Sequence, residues 1–255
     1  MLHHATKAFA RPLEHFANLG RLVAVILNSA LTTNQWCRME LLVAEHPTLD
    51  VRGFVTTFPA ALGELRDASH PEGSLSDWWN GTLTAPVASS DTIRKHVRDL
   101  LRFGKFKPTG RSKPASEYLR QAIAADRLQP INLAVDTCNL VSYHSGLPIS
   151  VIDLEKASNP FRIERAQPGS SYVFNASGQT IDVSDLLCLC DKSGPCANAV
   201  KDSQRTKTGP STRRTLSVLW GTSAIPDHTE ATDQWYRSLL VQLGCQTEPV
   251  ELRPS

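Results

Sequence analysis

The residues best suited to chemistry lie in one short segment, Lys201–Thr208, which reads Lys-Asp-Ser-Gln-Arg-Thr-Lys-Thr. It holds three cations, one carboxylate and three hydroxyls. Cations bind phosphate or stabilise an oxyanion, an acid can position a water, and hydroxyls exchange hydrogen bonds with a sugar or an amino acid. This composition favours an anionic ligand that carries hydroxyl groups. An exposed connection with an Asp-Ser turn would have the same residues, and the sequence leaves both interpretations open.

Positive charge is concentrated in two stretches of a chain whose formal net charge is only +2. Nine Lys and Arg residues accompany two acids between Arg94 and Arg120, and five accompany one acid between Lys201 and Arg214. Uneven charge of this kind is typical of a surface that binds an anionic partner, although a solvated helix face has the same composition.

The composition indicates a globular chain, because 41% of its 255 residues are hydrophobic and 20% are charged. We expect residues 1–38 to be an N-terminal extension and residues 39–255 to form one domain. The apolar run at 21–31 is shorter than the ~20 residues of a membrane span. Six cysteines and no signal peptide of typical form predict reduced thiols and a cytoplasmic location.

The elements that must position the polar segment follow from hydrophobic periodicity. Helices with apolar stripes are predicted to begin after Ser90, which can cap the first turn, at Pro114, at Leu133 and after Asp227. Short runs rich in β-branched and aromatic residues predict strands. These runs are residues 51–58, 148–154, 161–166, 172–174, 180–183, 186–190 and 215–220. The sum is an α+β domain in which helices flank a strand-rich centre.

The sequence lacks the motifs of several common kinds of catalytic and metal-binding site. The sequence has no glycine-rich phosphate loop opening a helix, no Gly-x-Ser-x-Gly elbow and no His-x-x-x-His pair. Cys188 and Cys190 share one face of a predicted strand, and no histidine near them or Cys196 completes a tetrahedral ligand set. We therefore expect neither a metal nor a cofactor.

Three motifs in order resemble a known family. The first is Lys-Pro-Thr-Gly-Arg-Ser-Lys-Pro at Lys107–Pro114. The second, within Ile131–Lys156, is Asn-x-x-Val-Asp-x-x-Asn-x-Val-Ser, continued by Gly-Leu-Pro-Ile-x-x-x-Asp-Leu. The third is Asp-Ser-x-Arg-Thr-Lys at Asp202–Lys207, before a strand that ends Val-Leu. Together they resemble the B3/B4 module of the phenylalanyl-tRNA synthetase β subunit, and more closely the freestanding members of that family.

The resemblance implies a fold, an activity and a partner. The fold would be a three-layer α+β domain with a β-sandwich-like centre flanked by helices. The activity would be hydrolysis of the ester bond of mischarged aminoacyl-tRNA in trans, and the partner would be the acceptor end of tRNA. The alternatives are a non-catalytic domain that binds tRNA or another RNA, and a domain that binds a free amino acid or a phosphorylated metabolite.

The same resemblance assigns roles to individual residues. Asp202 would position water or ribose, while Arg205 and Lys207 would bind the terminal phosphate or the oxyanion. Residues expected to hold the ribose or the amino acid, or to orient the loop, are Asn139, Ser150, Asp153, Ser203 and Thr206. Residues expected to contact the tRNA backbone are Lys107, Arg111 and Lys113.

Two departures from the family pattern restrict what can be transferred. Ser150 stands where the synthetase module has the histidine of its Pro-Met-His-Ala-Phe-Asp stretch. The glutamate of the synthetase's Gly-Gly-Glu loop has no plain counterpart, because the Asp202–Thr208 segment replaces that region. The amino-acid specificity of the synthetase module is therefore not transferred to this chain.

Overall fold

The structure, a computed structural model, describes residues 38–65, 75, 79, 81–102 and 106–255. The predicted extension at residues 1–38 therefore lies outside the described residues, apart from Arg38. No helix within the described ranges is long and apolar enough to cross a lipid bilayer.

Eleven strands in the described residues form two large sheets and a small hairpin. The strands are β1 (Glu40–Val43), β2 (Leu49–Thr57), β3 (Ile149–Asp153), β4 (Phe161–Arg165), β5 (Ser171–Val173), β6 (Thr180–Asp182), β7 (Leu187–Asp191), β8 (Gly194–Asn198), β9 (Arg214–Thr222), β10 (Gln246–Pro249) and β11 (Glu251–Pro254). One sheet has the order β11-β1-β4-β7-β8 and the other β10-β2-β9-β3, while β5 pairs with β6. Strands β3 and β8 thus each occupy an edge of one of the two large sheets.

The two large sheets pack face to face through apolar side chains. Val51 and Val55 of β2 and Leu216 of β9 meet Phe161 and Leu189 of the other sheet in one buried cluster. The long pair of β2 and β9, which are antiparallel over nine residues, supplies the centre of this sandwich. The inward and outward faces alternate as the period of two in a strand requires, since Phe54 lies in a different cluster from its neighbour Val55.

Helices cover the outer face of the four-stranded sheet. They are α1 (Asp91–Leu101), α2 (Ala115–Ala124), α3 (Leu133–Ser145) and α4 (His228–Gln242). Val141 of α3 and Leu239 of α4 pack with Phe54 and Leu219 in a second buried cluster. The layers are therefore helices, four-stranded sheet and five-stranded sheet, and the predicted α+β fold with a sandwich-like centre is confirmed.

Some sequence expectations fail in detail. Strands β1, β8, β10 and β11 lie outside the predicted runs; β8 begins Gly-Pro, and β10 and β11 contain few β-branched residues. The apolar stripe of α2, which was expected to point inward, is only half-buried at Leu119, Ala122 and Ile123. The reason is that α2 lies at the margin of the helical layer, where its only buried residue is Ser116.

Helix α3 is capped at both ends and contacts the polar segment at its start. The Asn132 side chain accepts a hydrogen bond from the Val135 amide at 3.1 Å and donates one to Thr208 Oγ1 at 3.2 Å. At the other end, Gly146 adopts φ 76°, a left-handed conformation that closes the helix at low steric cost. The start of α3 is therefore fixed to the segment that the sequence selected for chemistry.

We predict that Asn132→Ala lowers the free energy of unfolding by about 1–2 kcal/mol, because it removes a helix cap and the contact with Thr208. Ser90→Ala is the matched control, since Ser90 caps α1 through the Ile93 amide and makes no bond to the polar segment. We expect a loss of about 1 kcal/mol for the control. Equal losses in urea unfolding of the two variants would contradict a contribution from the Asn132–Thr208 contact.

Candidate active site

The candidate site lies where the edge strands of the two large sheets meet. Ser150 on β3 faces the sandwich interior, and its Oγ lies 3.3 Å from the carbonyl oxygen of Asn198, the last residue of β8. The chain then continues through residues 199–213 before it enters β9. The polar segment Lys201–Thr208 is part of this connection and closes the open edge of the sandwich.

A chain of hydrogen bonds runs from the core to Asp202. The indole Nε1 of buried Trp220 donates to Ser150 Oγ at 2.9 Å, and Ser150 Oγ donates to Asp202 Oδ1 at 2.7 Å. The Asn198 amide adds a longer bond to the same carboxylate oxygen at 3.3 Å. Because Trp220 occupies an acceptor position of the serine oxygen, the serine proton is available to the carboxylate. Ser150 and Asp202, two predicted site residues, are thereby brought together.

Burial raises the pKa of Asp202 to about 6. The hydrogen bonds from Ser150 and Asn198 and the positive charge of Lys207 act in the opposite direction, yet they do not outweigh desolvation. A carboxyl group with a pKa near neutrality can accept and return a proton under physiological conditions. Perturbed carboxyls of this kind are typical of functional sites.

Asn198 and Tyr172 hold the backbone that presents Asp202. The Asn198 side-chain oxygen accepts bonds from the amides of Val200 at 2.8 Å and Lys201 at 3.0 Å. Its Nδ2 donates to the Tyr172 hydroxyl, which in turn donates to the carbonyl oxygen of Lys201. The turn between β8 and Asp202 is therefore fixed by side chains rather than by a regular ladder.

Arg205 binds a buried acid in the structure. Its guanidinium makes two bonds of 2.8 Å to the carboxylate of Asp191, whose side chain is 1% exposed. Burial alone would raise the pKa of Asp191, but the bonds from Arg205 and from the amides of Ser193 and Ser158 hold it below its usual value. The geometry thus gives Arg205 a structural bond to the end of β7.

Lys207 and Asp153 anchor the far end of the segment. Lys207 Nζ donates to the Phe174 carbonyl at 2.6 Å, while its own carbonyl accepts from Lys156 Nζ at 2.6 Å. The buried carboxylate of Asp153 accepts a bond from Thr212 Oγ1 at 2.6 Å and lies 3.5 Å from Lys156 Nζ. Asp153 therefore contacts the loop through Thr212 and Lys156.

Two predicted ligand-binding hydroxyls are buried within the protein. Ser203 Oγ accepts the Arg205 amide at 3.3 Å, and Thr206 Oγ1 donates to the Cys196 carbonyl at 3.2 Å. The Ser203 amide also donates to the Cys196 carbonyl, at 2.8 Å. These bonds pin the short 3₁₀ turn Gln204–Thr206 against β8.

The remaining predicted residues lie outside this network. Asn139 is half-buried on α3, and within the described part of the chain no hydrogen bond of its side chain is found. Lys107 and Arg111 are exposed on the segment before α2, and Lys113 donates to Gln121 Oε1 at 2.6 Å. Their roles stay predictions.

Metal-binding geometry is not found in the described residues, which contain no group of three or more His, Cys, Asp or Glu able to hold an ion. The cysteines of β7 and β8 are free and buried, and burial raises the pKa of each thiol. A buried thiol with a raised pKa is a weak ligand and a weak nucleophile.

Residues that complete the site were missed by sequence reasoning. Trp220 belongs to an apolar strand pattern, and Asn198 is the last residue of an unpredicted strand, so neither carried a signal of its own. Asp191 precedes Lys-Ser-Gly and resembled a turn residue. Only three-dimensional pairing shows that they support Ser150, Asp202 and Arg205.

We predict that Arg205→Ala lowers the free energy of unfolding by about 1–3 kcal/mol at pH 7, because the buried carboxylate of Asp191 loses its charged partner. Since the pKa of Asp191 is lowered by folding, this contribution is present above its unfolded value near 3.8 and is lost as pH falls through the folded pKa. Arg213→Ala is the matched control, because Arg213 pairs with Glu64 with both side chains more than half exposed. It should cost less than about 0.5 kcal/mol. Equal losses in chemical denaturation would contradict the structural role of Arg205.

Comparison with known proteins connects this geometry to a family. The family model described as "B3/4 domain" matches residues 104–229. The phenylalanine–tRNA ligase beta subunit of Bartonella quintana (strain Toulouse) is 28% identical over 113 residues, which are 43% of this chain and 14% of the relative. The corresponding subunit of Thiobacillus denitrificans is 25% identical over 119 residues, 46% of this chain and 14% of the relative. The chain thus matches about a seventh of the length of these relatives.

A solved structure was also found, an N-terminal fragment of the phenylalanyl-tRNA synthetase beta subunit from Pyrococcus horikoshii. It has 9% sequence identity and a TM-score of 0.45, and the match covers 85% of this chain and 52% of the other. The family match includes the motif Lys107–Pro114, the whole of α3, β3 and the Lys201–Thr208 segment. Residues 104–229 thus match the B3/4 domain model, and the chain is similar, distantly and over part of its length, to the phenylalanyl-tRNA synthetase β subunit.

Proposed function

We propose that the protein is a freestanding deacylase that hydrolyses the ester bond of a mischarged or non-standard aminoacyl-tRNA in the cytoplasm. The observation that carries the proposal is the carboxyl group of Asp202, with a pKa of about 6, hydrogen-bonded to Ser150 at the edge of a B3/4 domain. The B3/4 relationship supports tRNA as the partner, and the titrating carboxyl supports hydrolysis.

In this proposal the carboxylate of Asp202 takes a proton from a water that attacks the ester carbonyl. The carbonyl oxygen gains negative charge, and the departing ribose oxygen takes the proton from Asp202 as its bond to the carbonyl carbon breaks, which returns Asp202 to the carboxylate form. Ser150 orients Asp202 and lowers its pKa through the 2.7 Å bond. We assign Arg205 and Lys207 to fixing the loop, because both are hydrogen-bonded within the fold.

A second candidate is a non-catalytic RNA-binding or small-ligand-binding domain. It is favoured by the internal bonds of Arg205, Lys207, Ser203 and Thr206, which leave few groups of the segment available to a substrate. The two candidates differ in their products. A panel of aminoacyl-tRNAs, each charged with a different radiolabelled amino acid, should show release of amino acid from at least one member if the protein is a deacylase. Binding of uncharged tRNA without release from any member would favour the second candidate.

We predict that Asp202→Asn reduces the deacylation rate constant by about 10²- to 10⁴-fold, since the amide cannot accept the proton. For the unmodified protein, the rate above background should rise as pH increases through about 6 and level off above it, because the carboxylate is the active form. The measurement is single-turnover hydrolysis between pH 5 and pH 8. A profile without an inflection near 6 would contradict the role of Asp202.

Ser150→Ala should move this inflection to higher pH, because it removes a hydrogen bond that lowers the pKa of Asp202. Ser217→Ala is the control: Ser217 is a buried serine on the neighbouring strand β9, paired with Val151 rather than bonded to Asp202. Its profile should coincide with that of the unmodified protein. An unshifted inflection in Ser150→Ala would show that the serine does not tune the carboxyl group.

The buried carboxylate of Asp202 should also lower the free energy of unfolding of the protein at neutral pH. Because folding raises its pKa from 3.8 to about 6, the folded state loses stability as pH rises between these two values, and the loss is complete above about 6. Asp202→Asn removes this cost, so its free energy of unfolding at pH 8 should equal or exceed that of the unmodified protein by up to about 2 kcal/mol. Urea unfolding of both proteins at pH 5 and pH 8 measures the difference in their free energies of unfolding. A stability advantage of the variant that is smaller at pH 8 than at pH 5 would contradict the raised pKa.

A further inference from the structure

An open groove of about 840 Å³ lies beside the Lys201–Thr208 segment. One side is formed by Arg111 and by Tyr118 of α2, and the other by the β5–β6 hairpin with Phe174 at its turn. Lys201 also lines it. The volume is within the ~300–1,000 Å³ of typical ligand sites.

The groove combines aromatic rings with cations. Lys201 Nζ lies 4.0 Å from the ring centre of Phe174 and 6.0 Å from that of Tyr118, while Lys113 Nζ lies 4.7 Å from the Tyr118 ring. Both rings are only half-buried. Within the described residues, neither Arg111 nor Lys201 forms an ion pair. An acid that lines the groove, Asp182, accepts a bond from the Ser184 amide instead.

These cations repel one another. The pKa of Lys201 is lowered, first by desolvation and then by the charge of Arg111. An anion bound between them would relieve both costs, because it pairs with the two charges at once. The groove is therefore electrostatically prepared for a phosphate-bearing ligand, while the two rings offer flat apolar surfaces.

We propose that this groove binds the unpaired nucleotides next to the 3′ end of the tRNA, with bases stacked on Phe174 and Tyr118 and phosphates bound by Arg111 and Lys201. Stacking on aromatic side chains beside a positive track is how proteins hold single strands without reading their sequence. This inference rests on the proposed function, because it assigns the groove to the same substrate.

Continuity with the candidate site supports this occupant. Lys201 directly precedes Asp202, so their Cα atoms are about 3.8 Å apart and the groove is continuous along the backbone with the candidate site. Phe174 is tied to the same segment, since its carbonyl accepts the bond from Lys207. An acidic peptide would use the cations and leave the rings unused, and a duplex keeps its bases stacked inside and away from them.

The test is binding of a labelled single-stranded RNA hexamer ending in CCA, measured by fluorescence anisotropy with the full chain at about 50 to 200 mM salt. Phe174→Leu keeps apolar volume and removes the ring, and should weaken binding by about 5- to 100-fold. Lys201→Gln should weaken it as well and reduce the slope of log affinity against log salt by about 0.7. The control is Lys95→Gln, the same charge change on the exposed face of α1, which should leave affinity within about twofold.

Affinity for the hexamer that is unchanged in Phe174→Leu would overturn the proposal. So would equal binding of a fully base-paired RNA, or equal competition by polyglutamate, which would indicate a duplex or an acidic peptide as the ligand. Circular dichroism of each variant checks that the fold is retained. Because binding is measured without an ester, ring-dependent binding together with no deacylation contradicts the proposed function alone. Deacylation together with ring-independent binding contradicts the groove alone.

Discussion

The hydrogen bond between Ser150 Oγ and Asp202 Oδ1, 2.7 Å long, is the interaction on which the arrangement of the site depends. It joins β3, at the edge of one sheet, to the connection that leaves β8, at the edge of the other. Trp220 fixes the serine from the core side. A carboxyl group drawn inward in this way is partly desolvated, and its raised pKa is the direct consequence. The ability of Asp202 to transfer a proton therefore follows from the hydrogen bond that joins the edges of the two sheets.

The polar segment divides its charged groups between structure and surface. Arg205 compensates a buried carboxylate, and Lys207 binds a backbone carbonyl, so both hold the loop in one conformation. Such anchoring keeps Asp202 in place without an adjacent helix or strand to support it. The ammonium group of Lys201 instead lies 4.0 Å from the ring centre of Phe174 and 6.0 Å from that of Tyr118 at the groove. The same run of residues thus builds a rigid carboxylate and, next to it, a positive surface.

Much of the fold was accessible from the sequence, because caps and periodicity are local. Ser90 caps α1 and Gly146 ends α3, as predicted. The strands β2, β3, β4 and β9 appear where apolar and β-branched residues alternate. By contrast, the residues of β8 and β10 do not themselves favour a strand. These segments are extended because they pair with β7 and β2. The polar segment was recognised by composition, yet the partners of Arg205 and Ser150 lie 14 and 52 residues away in the chain and follow only from the three-dimensional fold.

The ionisation of Asp202 tests the central claim most directly. A carbon-13 NMR titration of the aspartate carboxyl carbons, with Asp202→Asn used to identify the signal, would follow this one group in the intact protein. The account predicts a midpoint near pH 6 for Asp202. A midpoint near 4, the value of an ordinary exposed aspartate, would contradict a carboxyl group held inward by Ser150 and available for proton transfer.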